Sequence, residues 1–184
     1  MATLPSSRIV TYEQWLKTPT VEDAIEEVVN GEIRVMPANK WNHAEIVRRT
    51  RGQFEAQLDE RQVIVMDTNF GLIIRTKPLT SRTPDIAVFK VETIVERDGY
   101  IHSAPHLILE VNSPSNWPRE REEKLLAYAS LGAPELWWIW PEKHSFDVHH
   151  LEGSNYRTTT LTAGVLKPLH FPNVQIDTAR IWTD

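Results

Sequence analysis

Cysteine is absent from these 184 residues, which excludes disulfides, cysteine nucleophiles and thiolate zinc sites. Long apolar runs are missing too: no stretch approaches the ~20 residues that a membrane helix needs. The first residues, MATLPSSRIVTYEQW, lack the apolar centre of a secretion signal, so the expected location is the cytoplasm. Glycine is sparse, seven in all, and nowhere builds a phosphate-cradling loop. There is no serine elbow and no pair of histidine ligands, so kinase, dehydrogenase and serine-hydrolase chemistry lack their motifs. An excess of positive charge is also missing. The net charge of −5 counts against a broad nucleic-acid-binding face, where neutralised phosphates supply most of the affinity. It leaves room for a local basic groove beside an acidic metal site.

What is present is globular in character. A hydrophobic share of 41% and a charged share of 24% suit one domain over residues 1–184, long enough to bury a core. Thr11 followed by Gln14 is a capping-box pattern opening a short helix. AIEEVVNGEIRVM reads as two strands around Asn30-Gly31, the strongest short hairpin signal. Ile46, Phe54 and Leu58 at helical spacing predict a helix near 41–59. QVIVM and GLIIR predict strands near 62–66 and 71–75. TPDIAVF and HLILEV have the unbroken apolar character of strands buried on both faces. Pro118 opens, and Gly132 stops, a helix over WPREREEKLLAYASLG. ELWWIW (135–140), FDVHHL (146–151) and a more exposed YRTTTLT complete the strands. The order predicts an α/β chain of the α+β kind, a mixed sheet flanked by helices.

Glu110 stands out because it interrupts an apolar strand, and a carboxylate in such a setting needs a partner or a proton. Asp85, at the start of another buried strand, is the candidate neighbour. Two carboxylates meeting at adjacent strand ends repel unless a proton or a cation intervenes. Such an oxygen-rich pair suits Mg²⁺ or Mn²⁺ with waters and substrate phosphates. The plain alternative is a turn aspartate after Pro84 and a glutamate salt-bridged to an arginine.

Asp85 after Pro84, with Glu110 about a hairpin later, resembles the PD-(D/E)XK nuclease motif. EEVVNGEIRVMP, TPDIAVF, LILEVNSPSN and EKLLAYASLGAPELWWIWPEK, in that order, resemble the Uma-two family, described as putative restriction endonucleases. The likeness runs from about Glu26 to Lys143, with a weaker tail to IDTARIW. It implies a restriction-endonuclease-like fold and a metal-dependent endonuclease acting on nucleic acid, DNA in the first instance. Asp85, Glu110 and the Val111 carbonyl would then hold Mg²⁺ or Mn²⁺.

One departure matters. The superfamily site has a lysine two residues after the glutamate, on the same strand face, whereas this chain has Asn112. The resemblance assigns the missing cation to Lys124 on the following helix, bordering the side where Leu125, Tyr128 and Ala129 face the sheet. Otherwise Lys124 is a solvated helix lysine. The resemblance also nominates Glu27 as a further ligand, against an exposed hairpin charge, with Glu32 a weaker equivalent. It nominates His43 as a phosphate contact, against a surface or capping histidine.

The arginines Arg48, Arg49, Arg51, Arg75, Arg82, Arg119 and Arg121 would position a nucleic-acid backbone or remain solvated surface charge. His149 and His150 fall on opposite strand faces and cannot chelate one ion. In WWIW, Trp137 and Ile139 share one face and Trp138 and Trp140 the other, so one aromatic face is available to a second copy in a homodimer. The competing functional reading is a catalytically idle dimeric module that binds nucleic acid or protein on the nuclease fold.

Overall fold

A computed structural model describes residues 9–19, 24–36, 38–67, 70–113 and 118–183. The N-terminal capping box forms as expected, with Thr11 and Gln14 bonding reciprocally around α1 (Tyr12–Trp15). The hairpin β1 (Ile25–Val29) and β2 (Glu32–Met36) turns at Asn30 and Gly31, both with positive φ (54° and 86°). That is the backbone a tight primed turn requires. Next come α2 (Trp41–Glu55), β3 (Val63–Asp67), β4 (Leu72–Thr76), β5 (Leu79–Arg82) and β6 (Ile86–Lys90). The small hairpin β7 (Glu96–Arg97) and β8 (Tyr100–Ile101) precedes β9 (Leu107–Val111). Helix α3 (Pro118–Leu131) follows, closed by Gly132 at φ 86°. The chain ends in β10 (Glu135–Trp140), β11 (Ser145–Glu152), β12 (Asn155–Leu161) and the short β13 (Val165–Leu166) and β14 (Ile176–Asp177).

The architecture is mixed α+β, but it holds two six-stranded sheets where the sequence suggested one. The larger has the order β12-β11-β10-β9-β6-β3 and the second β2-β1-β5-β4-β8-β7. Both are mixed: β9 runs parallel to β10 and β4 parallel to β8, while the other pairs are antiparallel. The second sheet escaped the sequence reading because β5, LTSR, is polar and short. All four of its residues are buried all the same.

Layering follows from side-chain alternation. One face of the larger sheet (Leu107, Leu109, Val111, Trp137, Ile139) packs on Ile46, Val47 and Phe54 of α2. The other (Ala87, Phe89, Ile108, Leu136, Trp138) meets Tyr128 of α3 and Leu72 of the second sheet. The far side of the second sheet is covered by Trp15 of α1. Trp137 and Trp138 are therefore both buried within the chain. This corrects the expectation of a free aromatic face for a second copy, because α2 and α3 take one side each. No helix among the described residues is long and apolar enough to cross a membrane.

Candidate functional site

The register between β6 and β9 pairs Ile86 with Leu109. Carried one residue past the start of β6, it sets Asp85 opposite Glu110, and directly opposed residues of an antiparallel pair project on the same face. Asp85 is fixed by the backbone: the Val111 amide donates to its Oδ2 at 2.7 Å. His43, on the first turn of α2, places Nε2 3.2 Å from the same oxygen.

Glu110 sits on the α3 side of the sheet, 1% exposed. Lys124 Nζ donates to its Oε2 at 2.8 Å and the Tyr128 hydroxyl to its Oε1 at 2.5 Å. Lys124 and Tyr128 are i and i+4 on α3, so they share a face. Lys124 is buried, which corrects the expectation that it only borders the packed side and removes the solvated-lysine alternative. A second layer holds it in place. Glu27 Oε1 lies 3.7 Å from Lys124 Nζ. Glu27 in turn accepts from Arg82 (2.6 Å) and the Thr83 amide (3.0 Å). Glu27 is not an exposed hairpin charge but a buried one. Its neighbour Val28 faces α1, so alternation turns Glu27 inward. Arg82, counted among the possible surface cations, is buried with it. Glu32 is exposed at the hairpin end.

Asn112 lies elsewhere in the network, its Oδ1 accepting from Trp138 Nε1 at 3.3 Å. Arg48 and Arg49 pair with Glu45, and Arg51 with Glu55 and Asp67. They brace α2 and do not reach the carboxylates. His149 and His150 point apart as expected: His149 meets Thr158 and Arg121, and His150 meets Glu135.

Burial dominates the electrostatics. It pushes the Glu110 carboxyl up to about 7, opposed by the pull of Lys124 and reinforced by the charge of Asp85. Burial alone would lower Lys124, but Glu110, Glu27 and Asp85 outweigh it and hold the ammonium above its ordinary range. Tyr128 is raised well above 10 by burial and Glu110. Glu27 is held below its usual value: burial would raise it, and the charges of Lys124 and Arg82 more than compensate. His43 is raised because its hydrogen bond to Asp85, with the charges of Asp85 and Glu110, overcomes its own burial.

Tyr128 and Arg82 are the members that sequence reasoning missed. The helical pattern already turned Tyr128 inward, and a buried tyrosine hydroxyl requires an acceptor. Glu110, the one unexplained carboxylate in the apolar strand, was that acceptor. Nothing local in LTSRTPD marks Arg82, because its burial comes from pairing of β5 with β1.

A mixed sheet carrying two facing carboxylates at its strand ends, with a helix lysine on one of them, has the form of a restriction-endonuclease-like fold. The chain is similar to a protein from Anabaena variabilis ATCC 29413 whose crystal structure is titled a "putative nuclease belonging to DUF820". The TM-score is 0.77 at 20% identity, over 94% of this chain and 97% of that one, a likeness of fold. No curated protein matches it. A family model described as "Putative restriction endonuclease" (Uma2) matches residues 10–179, and the chain belongs to that family.

Proposed function

We propose that this protein hydrolyses phosphodiester bonds in nucleic acid, DNA in the first instance, with Mg²⁺ or Mn²⁺ held by Asp85 and Glu110. The observation that carries the reading is the Lys124 ammonium, delivered by a helix onto the Glu110 carboxylate where the usual strand lysine is replaced by Asn112. Family membership and the nuclease-like fold support it.

The residues fit a hard divalent cation. Both described partners of Asp85 engage Oδ2, which leaves Oδ1 without a partner among the described residues. Each Glu110 oxygen accepts a single bond, and a carboxylate oxygen has a second lone pair to give. Among the described residues no group of three or more His, Cys, Asp or Glu is placed to hold a metal. The ligand set would be two carboxylates, the Val111 carbonyl, waters and substrate oxygens, a pattern usual for Mg²⁺. When bound, the ion supplies Lewis acidity toward the phosphate and lowers the pKa of a water.

Lys124 stays protonated, so it acts as a fixed positive charge and not as a base. It donates to the attacking water or to the phosphate oxygens as negative charge grows there. Tyr128 keeps Glu110 aimed, and Glu27 with Arg82 holds the lysine stem. His43 meets Asp85 Oδ2 and fixes its orientation.

The test is an activity screen over DNA and RNA, single- and double-stranded, with Mg²⁺, Mn²⁺ or EDTA, for wild type and for Asp85→Asn, Glu110→Gln and Lys124→Ala. Metal-dependent cutting lost in all three variants supports the reading. Cutting that survives in Glu110→Gln, or absence of cutting and of divalent-ion binding in wild type, overturns it.

A further inference from the structure

The face of the larger sheet that carries Glu110 continues across β10. Trp138 is paired with Glu110 in the parallel register. One residue beyond the Ile139–Val111 pair, Trp140 falls beside Asn112 on that face. From strand spacing and rise, the Trp140 position is roughly 8 Å from that of Glu110. Two cations meet over this partly exposed ring: Arg121 Cζ is 5.5 Å and Lys143 Nζ 4.5 Å from its centre. Arg121 also lies 5.3 Å from the centre of Trp138. It comes from α3, one turn ahead of Lys124, so the helix that supplies the lysine to Glu110 supplies this guanidinium too.

The arrangement is braced. Asp147 accepts from Arg121 at 2.9 Å, from Trp140 Nε1 at 2.8 Å and from Thr160 at 2.7 Å. One carboxylate thus fixes the ring and one of its cations. Lys143 has no carboxylate within salt-bridge distance among the described residues, and it is exposed. The Arg121 Nε hydrogen has no acceptor there either, though the atom is buried. The adjoining His149 is neutral at physiological pH, lowered to about 4 by burial and by Arg121. With Asp147 counted, Arg121 and Lys143 leave one net positive charge beside a catalytic cluster rich in carboxylates. Arg121 is held by Asp147, and Lys143 stands exposed on the same ring with no carboxylate beside it among the described residues.

We propose that Arg121 and Lys143, set on Trp140, form a subsite for a backbone phosphate of the nucleic acid adjoining the scissile one. The inference rests on the phosphodiester reading above. Trp140 serves as the platform: both cations lie against its ring, and Asp147 fixes the ring and Arg121 together. The subsite recognises phosphate and not base, so it fixes the register of the strand without reading sequence.

Binding can be measured without cleavage, by fluorescence anisotropy of a short fluorescein-labelled DNA duplex and its single strand in EDTA, over a salt series. Lys143→Gln and Arg121→Gln are each expected to weaken binding about tenfold at low salt and to reduce the slope of log Kd against log salt by about 1. Trp140→Leu should lose most of both contributions while the fold, checked by melting, is kept. Arg61→Gln, beyond the far end of α2, which lies about 18 Å of helix from His43, should change nothing. If wild type binds and the Lys143 and Arg121 variants bind with unchanged Kd and slope, the subsite is overturned and the nuclease reading stands. If wild type binds neither form of DNA nor the corresponding RNA, the subsite falls together with the reading beneath it.

Discussion

Of the three glutamates buried at 1% exposure among the described residues, Glu27, Glu110 and Glu135, the last two lie on neighbouring strands and are buried differently. Glu135, at the start of β10, accepts from the Trp137 indole N–H at 2.7 Å and the Leu169 amide at 2.7 Å, with His150 Nε2 at 3.4 Å. Glu110, on the neighbouring strand, accepts from Lys124 and Tyr128 and faces a second carboxylate, Asp85. Burial raises both carboxyls. Glu135 is tied to an indole, a backbone amide and an imidazole, with no lysine or arginine against it, in a structural knot. Glu110 has an ammonium on one side and the charge of Asp85 on the other. A buried carboxylate does not by itself indicate a site; the charge and mobility of its partners do.

The largest expected effect that would sharpen this contrast is on Lys124. Lys124→Ala should reduce single-turnover cleavage by about 10²–10³-fold, the cost of one preorganised transition-state donor. It should also destabilise the metal-free protein by about 3 kcal/mol, the low end for a broken buried ion pair, because Glu110 can take up a proton. A urea melt reads the second number. Equal loss of cleavage in Glu135→Gln would erase the distinction between the two glutamates.

Metal affinity comes next. Asp85→Asn and Glu110→Gln should each lower Mg²⁺ or Mn²⁺ affinity by at least about tenfold in calorimetry, the worth of roughly one charge-assisted contact. Glu135→Gln should leave it unchanged. Its expected cost is one of stability, about 1–3 kcal/mol for disturbed buried hydrogen bonds.

The pH dependence has a definite sign. Glu110 is raised in the folded protein, so the native state binds more protons than the unfolded chain between its unfolded value near 4.5 and about 7. Its contribution to the stability of the metal-free protein therefore falls as pH rises through that window. His43, also raised, acts in the same direction but later: its contribution is complete below about 6.5 and is lost above that. His149, lowered to about 4, gains stability with rising pH over much of the same window, so the Glu110 contribution is read as a difference: in EDTA the melting temperature of Glu110→Gln relative to wild type should rise between pH 4.5 and about 7. An unchanged difference would mean that Glu110 is ionised throughout.

The smallest effect belongs to Asn112. Its amide supports Trp138, so Asn112→Ala should cost about 1 kcal/mol of stability and change cleavage by less than about threefold. A loss comparable to Lys124→Ala would return the catalytic cation to the strand position.

Much of this was legible because it is local. Positive-φ turn residues marked the first hairpin, Pro118 and Gly132 bounded α3, and unbroken apolar runs marked β6 and β9. Glu110 itself was legible as a breach of pattern. What the sequence hid was long-range. LTSR reads as loop until β1 pairs with it, and then Ser81 and Arg82 are buried. The Asp98-Gly99 turn that makes β7 and β8 a hairpin joins strands of two residues each, too short to show a period. Lys124 looked like part of a solvated charge run, and Glu27 like hairpin decoration, because only the meeting of α3 with β1 turns both inward. The spacing that normally places the lysine beside the glutamate was also broken at Asn112, so one-dimensional distance misdirected the search.

The segment between β5 and β6 has a consequence for how the protein comes into being. Thr83, Pro84 and Asp85 join one sheet to the other, and Thr83 and Asp85 each hold a piece of the acidic cluster. The cluster draws on residues 27, 43, 82, 85, 110, 124 and 128, so it has no partial form: it exists once both sheets and α3 have docked. A chain emerging from the ribosome presents Glu27 and Asp85 with their partners Arg82 and His43 already made, but Glu110 before Lys124 has been added. Until α3 has been made, the growing chain carries the Glu110 carboxylate without the Lys124 and Tyr128 donors that hold it in the folded protein.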